Sequence, residues 1–161
     1  RSVEGSGVFA REERPAAGVE RVKMSGFGEL IVSQGEVESL SVEGDDNLLP
    51  AFITETSQGT LSIHERLFFS FKPIHPVVFR LTVKNLDGLE LFGFARVTVQ
   101  GLDTPALNLV LSDFSELTFE DLRVGELRGQ INGFSRLAVR GSVVDEQVQT
   151  GEQATYQVAA Q

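Results

Sequence analysis

Three segments of this chain return at a fixed step of twenty residues, and that step restricts the fold more than any other feature. "FGFARVTVQG" (92–101) is followed by "SDFSELTFED" (112–121) and by "NGFSRLAVRG" (132–141). Leu91, Leu111 and Ile131 share a column, as do Phe94, Phe114 and Phe134, then Val97, Leu117 and Leu137, and Val99, Phe119 and Val139. Leu89 aligns with Leu109 and Leu107 with Leu127. A fourth block fades, placing Ala154, Gln157 and Ala159 in the Phe, Leu and Val columns. An upstream copy, "VKMSGFGELIVSQG" (22–35), matches the chain from Leu89 onward at an offset of 67, as if the coils between the copies carried an insertion.

Within each block apolar residues alternate with polar ones, the period-two pattern of strands with one buried face. Helical spacing is nowhere sustained. Gly, Asp and Asn punctuate the short strands, so each block turns several corners. Short alternating strands also build β-sandwiches, but a sandwich has no reason to repeat the same columns at one interval, whereas a solenoid stacks them. The fold expected is an all-β, single-domain, right-handed parallel β-helix with about twenty residues per coil, right-handed because parallel crossovers are. The length leaves room for about six or seven coils.

Read against that fold, Phe94, Phe114 and Phe134 form an interior ladder, with Phe27 entering the same column. Truncating Phe114 is then expected to cost about 3–5 kcal/mol, as for other buried Phe. An aromatic platform for sugars would instead require these rings to be exposed. Gly93, Asp113 and Gly133, and likewise Gly101, Asp121 and Gly141, fall in corner columns, where Gly and Asp tolerate left-handed backbone. Arg96, Glu116 and Arg136 stack as exposed alternating charges, as do Gln100, Glu120 and Arg140. Each is expected to act as surface pairing.

With 41% hydrophobic residues the 161-residue chain can bury a continuous core. Twelve Phe against one Tyr and no Trp point to rings used for apolar packing. A net charge of −9 without any basic run excludes nucleic acid as the expected partner and disfavours an anionic membrane surface. The lack of Cys removes disulfides, zinc ribbons and thiol nucleophiles. No apolar run approaches the roughly 20 residues of a membrane span, and no signal segment is present in this chain. His64 and His75 have no metal-ligand spacing, and neither a GxSxG elbow nor a phosphate-binding glycine loop occurs. No cofactor, metal or catalytic residue is therefore expected.

The segment "RLFFSFKPIHP" (66–76) breaks the pattern. Phe68, Phe69 and Phe71 beside two prolines give an excursion with more apolar surface than a loop needs, either folded back over the solenoid or meeting a partner. They are the candidate interaction residues. Residues 1–18 are expected to cap one end, and residues 19–161 to form the β-helix, with the Phe-rich insertion at 64–77.

The order of motifs is similar to a known family. "GSG" at Gly5–Gly7 is followed by Arg11 and Arg14, then by "GVERVKMSGFGELIVSQG" (18–35). "LSVEGDDNLLPAFITETSQGTLSI" (40–63) supplies a strand, an acidic turn at Asp45, Asp46 and Asn47, and a "GxLxI" strand, before the coils from Leu86 onward. In this order the chain resembles the "putative auto-transporter adhesin, head GIN domain" family, a bacterial domain of unknown function. The resemblance spans roughly residues 5–160. It implies an extracytoplasmic protein, secreted, periplasmic or lipid-anchored in the cell envelope, and no established activity. The later coils depart from the family's Gly-Ser-Gly turns with "GFA", "DFS" and "GFS".

The function expected is a non-catalytic, adhesin-like module that binds a protein or glycan partner at the cell surface, or a second copy of itself through the solenoid ends or the Phe-rich excursion. The competing reading is a carbohydrate-active β-helix enzyme using acids such as Glu116, Glu120 and Asp121. A groove with converging carboxylates would favour the enzyme.

Overall fold

The computed structural model describes residues 2–66 and 70–160. Alternation is answered by strands: β1 (Ser2–Glu4), β2 (Phe9–Arg14), β3 (Arg21–Met24), β4 (Glu29–Gln34), β5 (Ser39–Asp45), β6 (Phe52–Ser57), β7 (Thr60–Glu65) and β8 (Ser70–Lys72). Then follow β9 (Val78–Val83), β10 (Gly88–Leu91), β11 (Arg96–Val99), β12 (Leu102–Leu111), β13 (Glu116–Ile131), β14 (Arg136–Thr150) and β15 (Thr155–Ala159). A 3₁₀ turn, Leu49–Ala51, precedes β6.

The twenty-residue columns are real neighbours. β10, β12 and β13 run parallel, pairing Leu89 with Leu109, Leu91 with Leu111, Leu107 with Leu127 and Leu111 with Ile131. The start of β13 pairs with β11, setting Val97 beside Leu117 and Val99 beside Phe119. Because β13 is bent and long, it joins both groups of strands and wraps them around one core. Inward residues such as Leu30, Val97, Phe119 and Leu137 are buried, each contributing roughly 1.5–3 kcal/mol relative to exposure.

The architecture, however, is not a right-handed parallel β-helix. One mixed sheet runs in the order β2, β5, β9, β4, β11, β13, β12, β10, β3, β7, β6, with β14 and β15 added beyond β13, and it curls into a nearly closed barrel. β5 pairs antiparallel with both β2 and β9, and β6 pairs antiparallel with β7. The two terminal strands of that path approach through a side chain. The Arg14 guanidinium of β2 donates to the carbonyls of Phe52 (2.5 Å) and Leu49 (3.0 Å) at the start of β6. Period-two alternation is the same in parallel and antiparallel ladders, so the repeat from 88 onward carries no information about how 36–87 are paired.

The upstream copy makes the same point. Val22 lies directly beside Leu89, Met24 beside Leu91, Leu30 beside Val97 and Val32 beside Val99. The offset of 67 is thus one step between neighbouring strands, with no coils in between. Residues 36–87 pair on the far sides of β3 and β4, through β7 and β9, and the expected coil count falls with the solenoid.

A register slip corrects the last block. Phe119 pairs with Val139 but Leu122 pairs with Gly141, so the step shortens to nineteen. At φ 148° a side chain on Gly141 would be strained, and a Cβ there would stand 2.0 Å from the Leu122 carbonyl oxygen. Among the described non-glycine residues only Gln58 and Asp113 have positive φ, so Asp121 is no left-handed corner residue. Beyond the slip, Tyr156 and Val158 continue the columns of Leu137 and Val139, in place of Gln157 and Ala159. The block has shifted by one residue and kept its apolar positions. Tyr156 reaches Glu146 (2.5 Å), and burial together with that carboxylate holds its phenol above the ordinary range.

The acidic turn after β5 fastens the N-terminal segment. Asp45 is buried, and its carboxylate accepts backbone N–H bonds from Gly7 (3.1 Å), Ile74 (2.8 Å) and His75 (3.1 Å). Asn47 accepts from Ser6 N–H and donates to the Glu4 carbonyl. Burial alone would raise the Asp45 pKa, but the three N–H donors, aided by His75, hold it below the ordinary carboxylate value. A carboxyl lowered in the folded state gives stability that is present above the unfolded pKa and lost as pH falls through the folded one. Acidification below about pH 4 is therefore expected to loosen this clasp, read as faster amide exchange at Gly7 and Ile74. In Asp45→Asn these amides should already exchange fast at neutral pH.

One buried polar atom has no partner among the described residues: the hydroxyl of Thr104. Its neighbours in register are Val124 and, one strand on, Val143. Thr104→Val is expected to raise stability by about 1 kcal/mol in urea denaturation, since it removes an unsatisfied hydroxyl and keeps the shape.

Candidate functional site: an exposed phenylalanine ladder

Each rung between β10 and β11, and its counterparts between β12 and β13 and between β13 and β14, turns through a four-residue corner. Ala95 N–H bonds back to Phe92 O, Ser115 to Ser112 O, and Ser135 to Asn132 O. The second residue of each corner is left-handed: Gly93 at φ 64°, Asp113 at 62° and Gly133 at 63°. A Cβ on Gly133 would sit 2.9 Å from Asp113 O, which explains glycine there. Asp113 carries its side chain in this conformation and uses it, accepting the Gly93 N–H at 2.8 Å. The corner reading of this column is correct.

The third residue of each corner is the phenylalanine, and its ring points outward. Phe94, Phe114 and Phe134 are 65%, 52% and 50% exposed, so the ladder is on the surface and not in the core. Its rings stack at 5.2 and 5.1 Å between centroids, within 7° of parallel. Parity explains the error. Counting back from buried Val97, Arg96 faces out, Ala95 in and Phe94 out, so alternation already assigned the Phe to the solvent side.

Phe27 occupies the matching place one strand away, since Phe94 N–H donates to Gly26 O (2.8 Å) and Arg96 N–H to Gly28 O (3.2 Å). There the ring turns inward, between left-handed Gly26 and Gly28, and packs on Phe52 (5.4 Å) and Phe71 (6.0 Å). Glu65 closes over this corner, its carboxyl pushed above the ordinary value by burial. At the other end β15 brings Gln153 to the turn that follows Phe134. Three rings therefore make the ladder.

Beside the rings runs the column Arg96, Glu116, Arg136. Arg96 Nε meets Glu116 at 3.0 Å, an exposed pair worth less than about 1 kcal/mol. A groove of about 660 Å³, lined by Thr118, Glu120, Ala138, Arg140 and Gln157 among others, borders this column. Glu116, Glu120 and Asp121 all lie on β13, Glu116 and Glu120 four positions and so roughly 13 Å apart along an extended strand. Glu116 is engaged by Arg96, and Glu120 and Asp121 follow one another directly at the register slip.

The excursion residues divide. Phe68 and Phe69 lie outside the described residues. Phe71 is partly buried, its ring 5.7 Å from Phe52. His75 meets the Phe9 ring at 5.6 Å and the Gly7 carbonyl through Nε2, and His64 stands opposite Ile53 in the β6–β7 hairpin. Among the described residues no group of three or more His, Cys, Asp or Glu side chains could hold a metal.

Solved structures share this sheet. A putative adhesin from Parabacteroides distasonis superposes with a TM-score of 0.78 at 18% identity, covering 98% of this chain and 73% of its own. A putative lipid binding protein from the same organism gives 0.70 at 16% identity, with 99% and 70% covered. A putative adhesin from Parabacteroides merdae gives 0.66 at 10% identity, with 98% and 99% covered. Among curated proteins none matches the sequence significantly. The fold is thus that of an all-β domain shared with proteins described as adhesins. The chain belongs to the family described as "Putative auto-transporter adhesin, head GIN domain", which matches residues 19–160.

With its ring exposed, Phe114→Ala is expected to cost only about 1–2 kcal/mol, the stacking with its two neighbours. Phe119→Ala, in the core, should cost about 3–5 kcal/mol. Urea midpoints of the two variants check the contrast.

Proposed function

We propose that this domain is a non-catalytic, adhesin-like binding module of a bacterial cell envelope or secreted protein, and that the phenylalanine ladder is its contact surface. The single observation that carries this reading is the ladder itself. Three large apolar side chains held outward by three identical turns form a continuous patch, and such patches on soluble domains mark interaction sites. Family membership supports an extracytoplasmic location, and the names given to the structural neighbours support adhesion.

The test is a solid-phase assay of the purified chain against immobilised matrix proteins, mucins and cell-wall glycans. Saturable binding to at least one of these is expected, and it should disappear in the triple variant Phe94→Ser, Phe114→Ser, Phe134→Ser, whose fold is checked by circular dichroism. Equal binding by the variant, or none by the native chain, would overturn the reading.

A further inference from the structure

We infer that the unpaired edge of β14 accepts an extended basic segment of a partner protein as one further parallel strand, a contact separate from the phenylalanine ladder. β15 covers β14 only from Arg136 to Arg140, whereas β14 pairs with β13 as far as Thr150. Among the described residues no strand pairs with the outer side of 141–150. Gly151 N–H donates to Ile131 O at 2.9 Å, and backbone groups alternate in direction along a strand, so those of Gln147 and Gln149 face β13. The N–H and C=O groups of Glu146, Val148 and Thr150 therefore point away from the sheet, an open template for another strand.

Packing is unfinished at the same edge. Val124, Leu137 and Val139 are buried, but their register partners on the last strands, Val143, Tyr156 and Val158, are only partly covered, Val158 being 47% exposed. Val148, in register with Gly129, is likewise only partly buried, and Val144 is 78% exposed. Charged residues guard many edge strands against their own kind, but a guard needs no apolar residues left open beside it.

Charge states what the incoming strand carries. Beyond Arg140 the chain has Asp145, Glu146 and Glu152 and no Lys or Arg. One strand back, Arg128 stands beside Gln147 but is engaged by Glu126, and Arg123 lies beside Ser142 at the far end of the stretch. Glu146 occupies the register position of buried Leu127, where Tyr156 O–H donates to it. A second copy would bring the same acids and another −9, so the complementary occupant is a basic segment. Laid parallel, as β12, β13 and β14 lie to one another, it sets basic residues beside Asp145 and Glu146 and an apolar one beside Val148.

The probe is a fluorescein-labelled six-residue peptide with lysine at positions one and two, threonine at three and five and valine at four and six, followed by fluorescence polarisation on the purified chain. Saturable binding is expected, absent for the peptide with glutamates in place of the lysines and weakened about tenfold by Glu146→Lys. Val148→Pro should abolish it, since it removes an outward N–H at a position where an edge strand tolerates proline. Backbone methylation tests the pairing without altering the protein. N-methyl groups at positions three and five, whose N–H groups would face β14, should abolish binding, and one at position four should not. The triple ladder variant should bind the peptide as the native chain does. The inference fails if the peptide does not bind, or if methylation at three and five has no effect, which would be charge attraction alone. Loss of binding in the ladder variant would move the peptide to the rings and overturn it as well. So would sedimentation of the chain alone as a dimer that Val148→Pro dissolves, which assigns the edge to a second copy.

Discussion

Everything distinctive about this surface follows from one backbone constraint, the left-handed residue at the second position of three successive turns. Gly93, Asp113 and Gly133 share φ values near 63°, so the three corners superpose along the sheet. Superposed corners keep the flanking strands in register, and register is what brings Leu91 beside Leu111 on one side of the turn and Val97 beside Leu117 on the other. The same geometry swings the next side chain out of the core. Stacked rings are thus a consequence of stacked turns, and each ring gains from a neighbour that the backbone has already positioned.

Much of the local pairing was legible in the sequence, because a repeated column states which residues are neighbours. Leu107 beside Leu127, Arg96 beside Glu116 and the left-handed place of Asp113 could all be read that way. Closure could not. A column says nothing about strands that have no copy, and β5, β6 and β9 have none; their antiparallel pairing turns a stack into a nearly closed barrel. Nor could the slip after Phe119 be seen, since deleting one position leaves Tyr156 and Val158 in columns that a constant step gives to Gln157 and Ala159. The ladder was legible in its phase and obscured by its residue type: alternation put Phe94 with Arg96, and hydrophobicity argued it inward.

An outward phenylalanine ladder carries a liability that the rest of the molecule contains. Exposed aromatic rows invite association with other copies. Here the middle ring has both faces covered by its neighbours, the row ends after three, and Phe27, which could have extended it, is turned into the core by two left-handed glycines and held there by Phe52 and Phe71. A net charge of −9 keeps whole molecules apart.

That containment is also what makes the neighbouring charges informative. Beside the rings the charges alternate across the strands, Glu29, Arg96, Glu116 and Arg136 standing in register, so this strip carries no surplus of either sign on a molecule that is acidic overall. Arg96 meets Glu116 at 3.0 Å, so neighbouring strands attract along the column in place of repelling. Ring and charge stand two residues apart in each repeat, Phe94 with Arg96, Phe114 with Glu116 and Phe134 with Arg136, fixed by the alternation that built the sheet. A partner that docks on the rings therefore meets both signs of charge beside them, and one whose charges fall out of step is rejected.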